Sequence, residues 1–163
     1  MELKSQPKVI SVSLSDKGGI PKYPQKFIEV YEFGVKGDYH SGISNFHANK
    51  NNLNRQITII SKEVVDDINR QINNKILKGS LGENILVEGL GDLSNIKDGQ
   101  ILKFGKYVTL KVTGQNQPCA TLNSIDERIL KLIVRKRGLL ATVISTGKIF
   151  PLDNITLLNE GSK

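Results

Sequence analysis

The chain carries one cysteine, set in Gln115-Asn116-Gln117-Pro118-Cys119-Ala120-Thr121. This thiol follows a β-rich run and lies five residues ahead of Ser124, the first residue of a helix-start signal. A thiol between a strand end and a helix start can sit beside unpaired backbone N–H groups and the positive end of a helix dipole. Both favour the thiolate, the form that attacks electrophiles or binds soft metals. The alternative reading of a lone cysteine is a small buried hydrophobe. One thiol cannot form an internal disulfide, and it cannot alone supply a structural zinc site or the cysteines of an iron–sulfur cluster.

Asp38, His40 and His47 fall in a long loop that contains Gly37-Asp38-Tyr39-His40-Ser41-Gly42. No pair among them has a recognised zinc-ligand spacing, so solvent-exposed or hydrogen-bonded histidines are the better reading. Two glycine-rich turns, Lys17-Gly18-Gly19-Ile20-Pro21-Lys22 and Gly79-Ser80-Leu81-Gly82-Glu83-Asn84, can bring backbone N–H groups to an anion, with Lys22 as a point charge. Neither matches a Walker or dinucleotide fingerprint, and ordinary tight turns explain the glycines equally well. Arg128, Lys131, Arg135, Lys136 and Arg137 gather much of the positive charge after Ile125, as a solvated helix face or a binding patch.

The elements that must position these residues are mostly strands. Ile10, Val12 and Leu14 alternate with serines over Val9 to Ser15, the period of a half-buried strand. Phe27 to Phe33, Gln56 to Ile60, Asn84 to Glu88, Gln100 to Phe104, Tyr107 to Thr113, Leu140 to Ser145 and Asn154 to Leu158 also read as strands. Ser61 is the expected N-cap of a helix from Lys62 to about Asn73, with Val64, Val65, Ile68 and Ile72 on one face. Ser124-Ile125-Asp126-Glu127 reads as a capping box for a second helix that stops at Gly138. Many short strands with two helices predict a mainly β, α+β fold: a twisted sheet closed into a barrel, with short helices at its flanks.

Composition sets the outer bounds. With 163 residues, 38% of them hydrophobic and 24% charged, the chain can fill its own core, and residues 1–163 are read as one domain. The N-terminus has no apolar stretch of the signal-peptide kind and no window is apolar enough to span a bilayer, which predicts a cytoplasmic protein with no membrane partner. A formal net charge of +7 favours an anionic partner without choosing one.

Taken in order, several islands resemble the MOSC family, the domain named for the C-terminus of molybdenum cofactor sulfurases, and its short free-standing bacterial members in particular. They are Gly18-Gly19-Ile20-Pro21-Lys22, the Gly37 to Gly42 turn, Arg55 ahead of its strand, Gly79 to Leu90, Pro118-Cys119, and Arg137-Gly138-Leu139-Leu140-Ala141-Thr142-Val143. The resemblance covers about Ser11 to Leu158. It implies a β-barrel-like fold, a molybdenum cofactor (molybdopterin), and Cys119 as the metal ligand or persulfide carrier. By match to the motifs, Lys22, Asp38, His40, Arg55, Glu83 and Asn84 are the cofactor-binding candidates. The chain departs from the family at Tyr39, where arginine is common, at His47-Ala48-Asn49, where His-Gly-Gly is common, and at Pro151-Leu152-Asp153-Asn154 in the last turn.

The leading expectation is a molybdenum-dependent oxidoreductase that reduces small N-hydroxylated substrates at a Cys119-ligated centre. With no cluster cysteines and no flavin or nicotinamide fingerprint, its electrons must come from a separate reductase protein. A second expectation is a sulfur carrier or cofactor-handling module loaded by a separate sulfur-donor protein, since 163 residues leave no room for a pyridoxal phosphate desulfurase. A basic β-barrel that binds nucleic acid ranks last: aromatic residues are 6% of the chain, tryptophan is absent, and no aromatic-basic cluster forms a stacking platform.

Overall fold

The structure, a computed structural model, describes residues 5–41 and 55–158. Eight strands form one sheet in the order β11 (Ile155–Leu158), β7 (Ile101–Phe104), β8 (Val108–Gln115), β9 (Leu139–Ser145), β5 (Ile57–Ser61), β6 (Ile85–Glu88), β1 (Lys8–Leu14) and β2 (Tyr23–Gln25). A second sheet orders β10 (Gly147–Ile149), β3 (Ile28–Tyr31) and β4 (Gly34–Val35). The fold is therefore mainly β, as the strand count implied.

Barrel closure is not found, and both sheets are open. The larger sheet curls until the start of β1 meets the turn before β11, through an isolated Lys8–Asn154 bridge and the bonds Val9 N–H to Asp153 O and Leu152 N–H to Val9 O. The contact ends there because the free edge of β1 has two partners. Its first residues meet this turn, while Val12, Ser13 and Leu14 pair with Gln25, Pro24 and Tyr23 of β2.

Burial on both faces of the sheet also explains why the alternation in β1 misleads. Val9 and Val12 join the core inside the curl, whereas Ile10 packs in a second cluster on the outer face. The β1–β6 register shifts between Val9 and Ser11, so an irregularity resets which side chains point inward. Ser11 and Ser13 are buried with Val12 instead of lying on a solvent face.

The outer cluster exists because of helix α1 (Lys62–Ile72), whose Val64, Val65, Ile68 and Ile72 cover Ile60 and Leu86. Ser61 caps it as expected, accepting the Val64 N–H at 3.3 Å while its hydroxyl donates to Gly91 O at 2.6 Å. Asn73, in the left-handed region, ends it. α1 links β5 to β6, which run parallel, and such pairs need a crossover of this kind.

The second helix departs from expectation. Residues Ala120–Ser124 form a 3-10 turn and only Ile129–Leu132 (α2) is α-helical. Ser124 caps nothing, since its hydroxyl donates to the Thr121 carbonyl at 2.8 Å. Asp126 is drawn into bonds with Arg128 and with Lys75 at 2.9 Å, which holds the chain in a turn where the capping box would start a helix. Leu122, Ile129 and Ile133 still pack in the outer cluster beside α1.

Gly138 fixes the start of β9. Its φ is +102°, and a Cβ there would overlap the Ile59 carbonyl oxygen of the neighbouring strand. Gly138→Ala is therefore expected to destabilise the protein by about 3 kcal/mol or more, measured by denaturant unfolding. Gly99→Ala, with φ +90° but open space around it, should lose only about 1–2 kcal/mol.

Candidate functional site

Two glycine turns that are remote in sequence pack against each other. Lys22 N–H donates to Gly79 O at 2.9 Å, and a Cβ on Gly79 would overlap the Lys22 carbonyl. A Cβ on Gly82 would meet the Ile20 side chain at 2.9 Å. Both glycines have positive φ, so the close approach and the turn geometry demand the same residue type. This contact places Lys22 in the interior, where it needs a partner.

That partner is Asp38. Lys22 Nζ lies 2.8 Å from Asp38 Oδ2, and both side chains are almost wholly buried. Asp38 also accepts the Ser15 N–H at 3.1 Å and the His40 N–H at 3.2 Å, so its oxygens are held by the backbone of two segments. Burial pushes the Lys22 ammonium below its ordinary value, opposed first by Asp38 and then by Glu83. The Gly37 to Ser41 turn is tied down by this pair and by Tyr39, whose N–H donates to Ser15 O at 2.7 Å. The Tyr39 ring meets the His40 ring edge-on at 5.3 Å.

Glu83, 2% exposed, is held in the bend of its own turn. Gly79 N–H donates to Oε2 at 2.8 Å, whereas Oε1 has no partner among the described residues. Burial raises its carboxyl above the ordinary range, against the pull of these backbone N–H groups and of Arg137. Asn84 serves a different end. Its side-chain oxygen accepts the Thr58 N–H at 3.1 Å and its amide donates to Ser13 O at 3.1 Å, which stitches β5 to β1.

Arg137 stands in one of the MOSC-like islands and in the basic run after Ile125, and neither signal assigns it to the site. It is 7% exposed, and its Nη2 donates to Leu81 O at 2.6 Å. Among the described residues, its Nε and Nη1 have no partner. Its electrostatic partners are Glu83 and Cys119. The backbone explains the proximity to the thiol, because Gln115 pairs with Leu139 and Asn116 N–H donates to Gly138 O at 2.8 Å. The signal available in sequence was the arginine immediately before a glycine that the fold forces.

Cys119 is exposed, which removes the buried-hydrophobe reading. Its backbone is extended as it enters the 3-10 turn, and Leu122 N–H donates to its carbonyl at 3.0 Å. The thiol lies below its ordinary pKa through hydrogen bonding to the Thr121 side chain first, then to the Thr121 N–H, with smaller help from Arg137 and the Ala120 N–H. Charges thus alternate in sign along Asp38, Lys22, Glu83, Arg137 and the Cys119 thiolate, each interacting with the next.

His40 is half-buried on the Asp38 turn and joins this row only through its N–H on Asp38, and Arg55 is exposed ahead of β5. His47 lies outside the described residues. No group of three or more His, Cys, Asp and Glu positioned for a metal occurs among the described residues. The expected basic helix face is also dispersed, since Arg128 is engaged by Asp126 and Arg137 points inward. No helix among the described residues is long and apolar enough to cross a membrane.

Comparison with known proteins gives concordant results. The family model of the MOSC domain matches residues 37–156. A Bacillus subtilis protein named for metal-sulfur cluster biosynthesis, YuaD, is 27% identical over 143 residues, covering 75% of this chain and 74% of its own. A stretch of 86 residues, half of this chain, is 37% identical to part of a Gibberella moniliformis protein named "Reductase", of which the match spans 15%. Among solved structures, Bacillus subtilis YuaD superposes with a TM-score of 0.79 at 22% identity over 93% of this chain and 94% of that one. YiiM from Geobacillus stearothermophilus superposes with a TM-score of 0.72 at 19% identity, over 96% and 77% respectively.

Two measurements check this geometry. Asp38→Asn, which strips the charge from a buried ammonium, should lower unfolding stability by about 3–5 kcal/mol, whereas Lys36→Gln, which breaks the exposed Lys36–Glu29 pair, should change it by less than about 1 kcal/mol. The rate of Cys119 alkylation by iodoacetamide should titrate with a midpoint below that of the urea-unfolded chain, and Thr121→Val should move that midpoint up.

Proposed function

The chain belongs to the MOSC domain family, and on that premise we propose that it binds a molybdenum cofactor through Cys119 and reduces small N-hydroxylated compounds. The observation that carries the reading is the state of Cys119: an exposed thiol whose surroundings favour the thiolate, with a buried arginine as an electrostatic partner that has two donors unused among the described residues. A thiolate is a soft ligand of the kind that suits such a metal, and a buried cation suits an anionic cofactor. The donor set present therefore fits the group. When bound, the cofactor would supply two-electron exchange coupled to removal of an oxygen atom.

The chain's own residues do the rest. Cys119, being exposed, would hold the metal where a small molecule can reach it from solvent. Lys22, Asp38 and Asn84 act by fixing the two glycine turns and β1, and Glu83 presents from the Gly79 turn an oxygen that has no partner among the described residues. His40, on the Asp38 turn, and Arg55, at the entry to β5, are assigned to the cofactor by their match to the family motifs. Reduction of an N-hydroxyl group consumes two electrons and two protons and releases water. Cys119 is the sole cysteine of these 163 residues, so on this reading the electrons come from a redox centre outside them, such as a reductase protein. Likeness to a stretch of a protein named a reductase supports the redox reading.

The name of the Bacillus subtilis relative favours a second reading, in which Cys119 carries sulfur as a persulfide received from a donor protein. The two readings separate on metal content. Protein purified from a host that makes the cofactor should contain close to one molybdenum per chain, and Cys119→Ala should lose most of it. With the metal bound and an artificial electron donor supplied, N-hydroxylated substrates should turn over. Absence of molybdenum from the wild type, with a cyanide-releasable sulfur on Cys119, would establish the carrier instead.

A further inference from the structure

Strand β2 ends one edge of the larger sheet, and its Tyr23, Pro24 and Gln25 are all exposed. A free edge usually invites another strand, but this one is closed to it. Ser13, opposite Pro24, directs its N–H and its carbonyl to Asn84 on the β6 side. Pro24 therefore turns its own backbone outward, where a proline has no N–H to offer. What this edge presents is side chains. On one flank Tyr23 and Leu77, 59% and 69% exposed, border an apolar groove with Pro21 and Pro24. On the other flank a second groove runs from Leu14 and Pro24 to Phe27, whose ring lies 5.4 Å from that of the exposed Phe150. Pro24 lines both grooves, so they adjoin along β2 as one face.

The charges around that face are one-sided. Lys78 lines the first groove, Lys26 and Lys36 line the second, and Lys148 Nζ stands 4.7 Å from the centre of the Phe27 ring. Among the described residues, Glu29 is the one acid in either lining, and it lies 3.7 Å from Lys36. An apolar centre with a basic rim fits a protein surface that is acidic around an apolar spot. A second copy fits poorly, because a face that met itself would set lysines against lysines. Nucleic acid fits poorly as well, since Lys148 and Phe150 already engage the Phe27 ring on which a base would stack. The face also reaches the candidate site. Lys22 and Ser80, from the two joined glycine turns, line the first groove, and Ser80 precedes Leu81, whose carbonyl takes the Arg137 bond.

We propose that the face along β2 docks the acidic redox protein that delivers electrons to the Cys119 centre. The inference rests on the reductase reading for what is delivered, whereas the binding it predicts is measured without turnover or metal.

The test introduces the photo-crosslinking residue p-benzoylphenylalanine into the full-length chain in its native host. It is placed at Tyr23, at Leu77 and, as a control, at the exposed Leu157 of β11, the strand at the other end of the sheet order. A protein of net negative charge that carries a redox centre should be captured from Tyr23 and Leu77 and not from Leu157. Capture alone does not suffice. The purified pair should bind more weakly as salt rises, and Lys26→Glu with Lys78→Glu should weaken it about tenfold or more. Lys97→Glu with Lys111→Glu, the same change of charge at two exposed lysines that line neither groove, should shift it less than about twofold. Tyr23→Ser, which leaves the charge alone, should also weaken binding, by about tenfold.

Equal weakening by the two double variants overturns the proposal, as does equal capture from Leu157 or no capture from Tyr23 and Leu77. So does a product made of two copies of this chain, of the chain with nucleic acid, or of the chain with a sulfur donor. A molybdenum-bearing protein whose electron donor binds as well to both face variants as to the wild type overturns the docking face alone. Binding of the acidic redox protein with the expected losses, by a chain that never holds molybdenum, overturns the cofactor reading alone.

Discussion

Lys22 is buried, and a buried ammonium is tolerable only beside a carboxylate that is itself held in place. Much of the site follows from that constraint. Asp38 must come inside to meet Lys22, and it brings the Gly37 to Ser41 turn with it, anchored through Ser15 and His40. The Lys22 backbone must approach Gly79 closely, so the turn that carries Glu83 is pressed against the first glycine turn. Glu83 then interacts electrostatically with Arg137, and Arg137 with the thiol. One ion pair between a loop and a strand end thereby organises a row of alternating charge that ends at the exposed Cys119.

This arrangement changes the meaning of the chain's positive charge. The net +7 pointed to a surface attractive to anions, and the cluster after Ile125 was the obvious place for one. In the fold the most consequential cations are Lys22 and Arg137, both buried, where the low dielectric makes a single charge count for more than several on a solvated helix. The apolar clusters serve that end. The outer cluster under α1 holds Leu122, which fixes the 3-10 turn after Cys119, and Leu81, whose carbonyl takes the bonded end of Arg137.

Helix α1 was legible because its signals are local: a serine cap, one apolar face and an asparagine able to adopt the left-handed region. The second helix misled because Ser124 and Asp126 have stronger partners in Thr121, Arg128 and Lys75, and Lys75 is 51 residues away from Asp126 in sequence. β1 misled because both of its faces are buried and a register shift resets the alternation. Open sheets replaced the expected barrel because β1 gives its edge to two different segments. Cys119, Lys22, Asp38 and Glu83 are candidates by type and motif. Arg137 stands in a motif but reads in sequence as one of five basic residues, and only the fold, with Gly138 pressed close to β5, shows it buried.

The central claim is that Cys119 is the protein's ligand to molybdenum, and X-ray absorption at the molybdenum edge addresses it directly. Cys119→Ser keeps an oxygen donor at the same position, so protein loaded with cofactor in this form can be compared with the wild type. Loss of one sulfur from the metal's first shell, with an oxygen in its place, is the predicted result. The same sulfur count in both proteins would contradict the account, because the metal would then be held without the thiol on which the site converges.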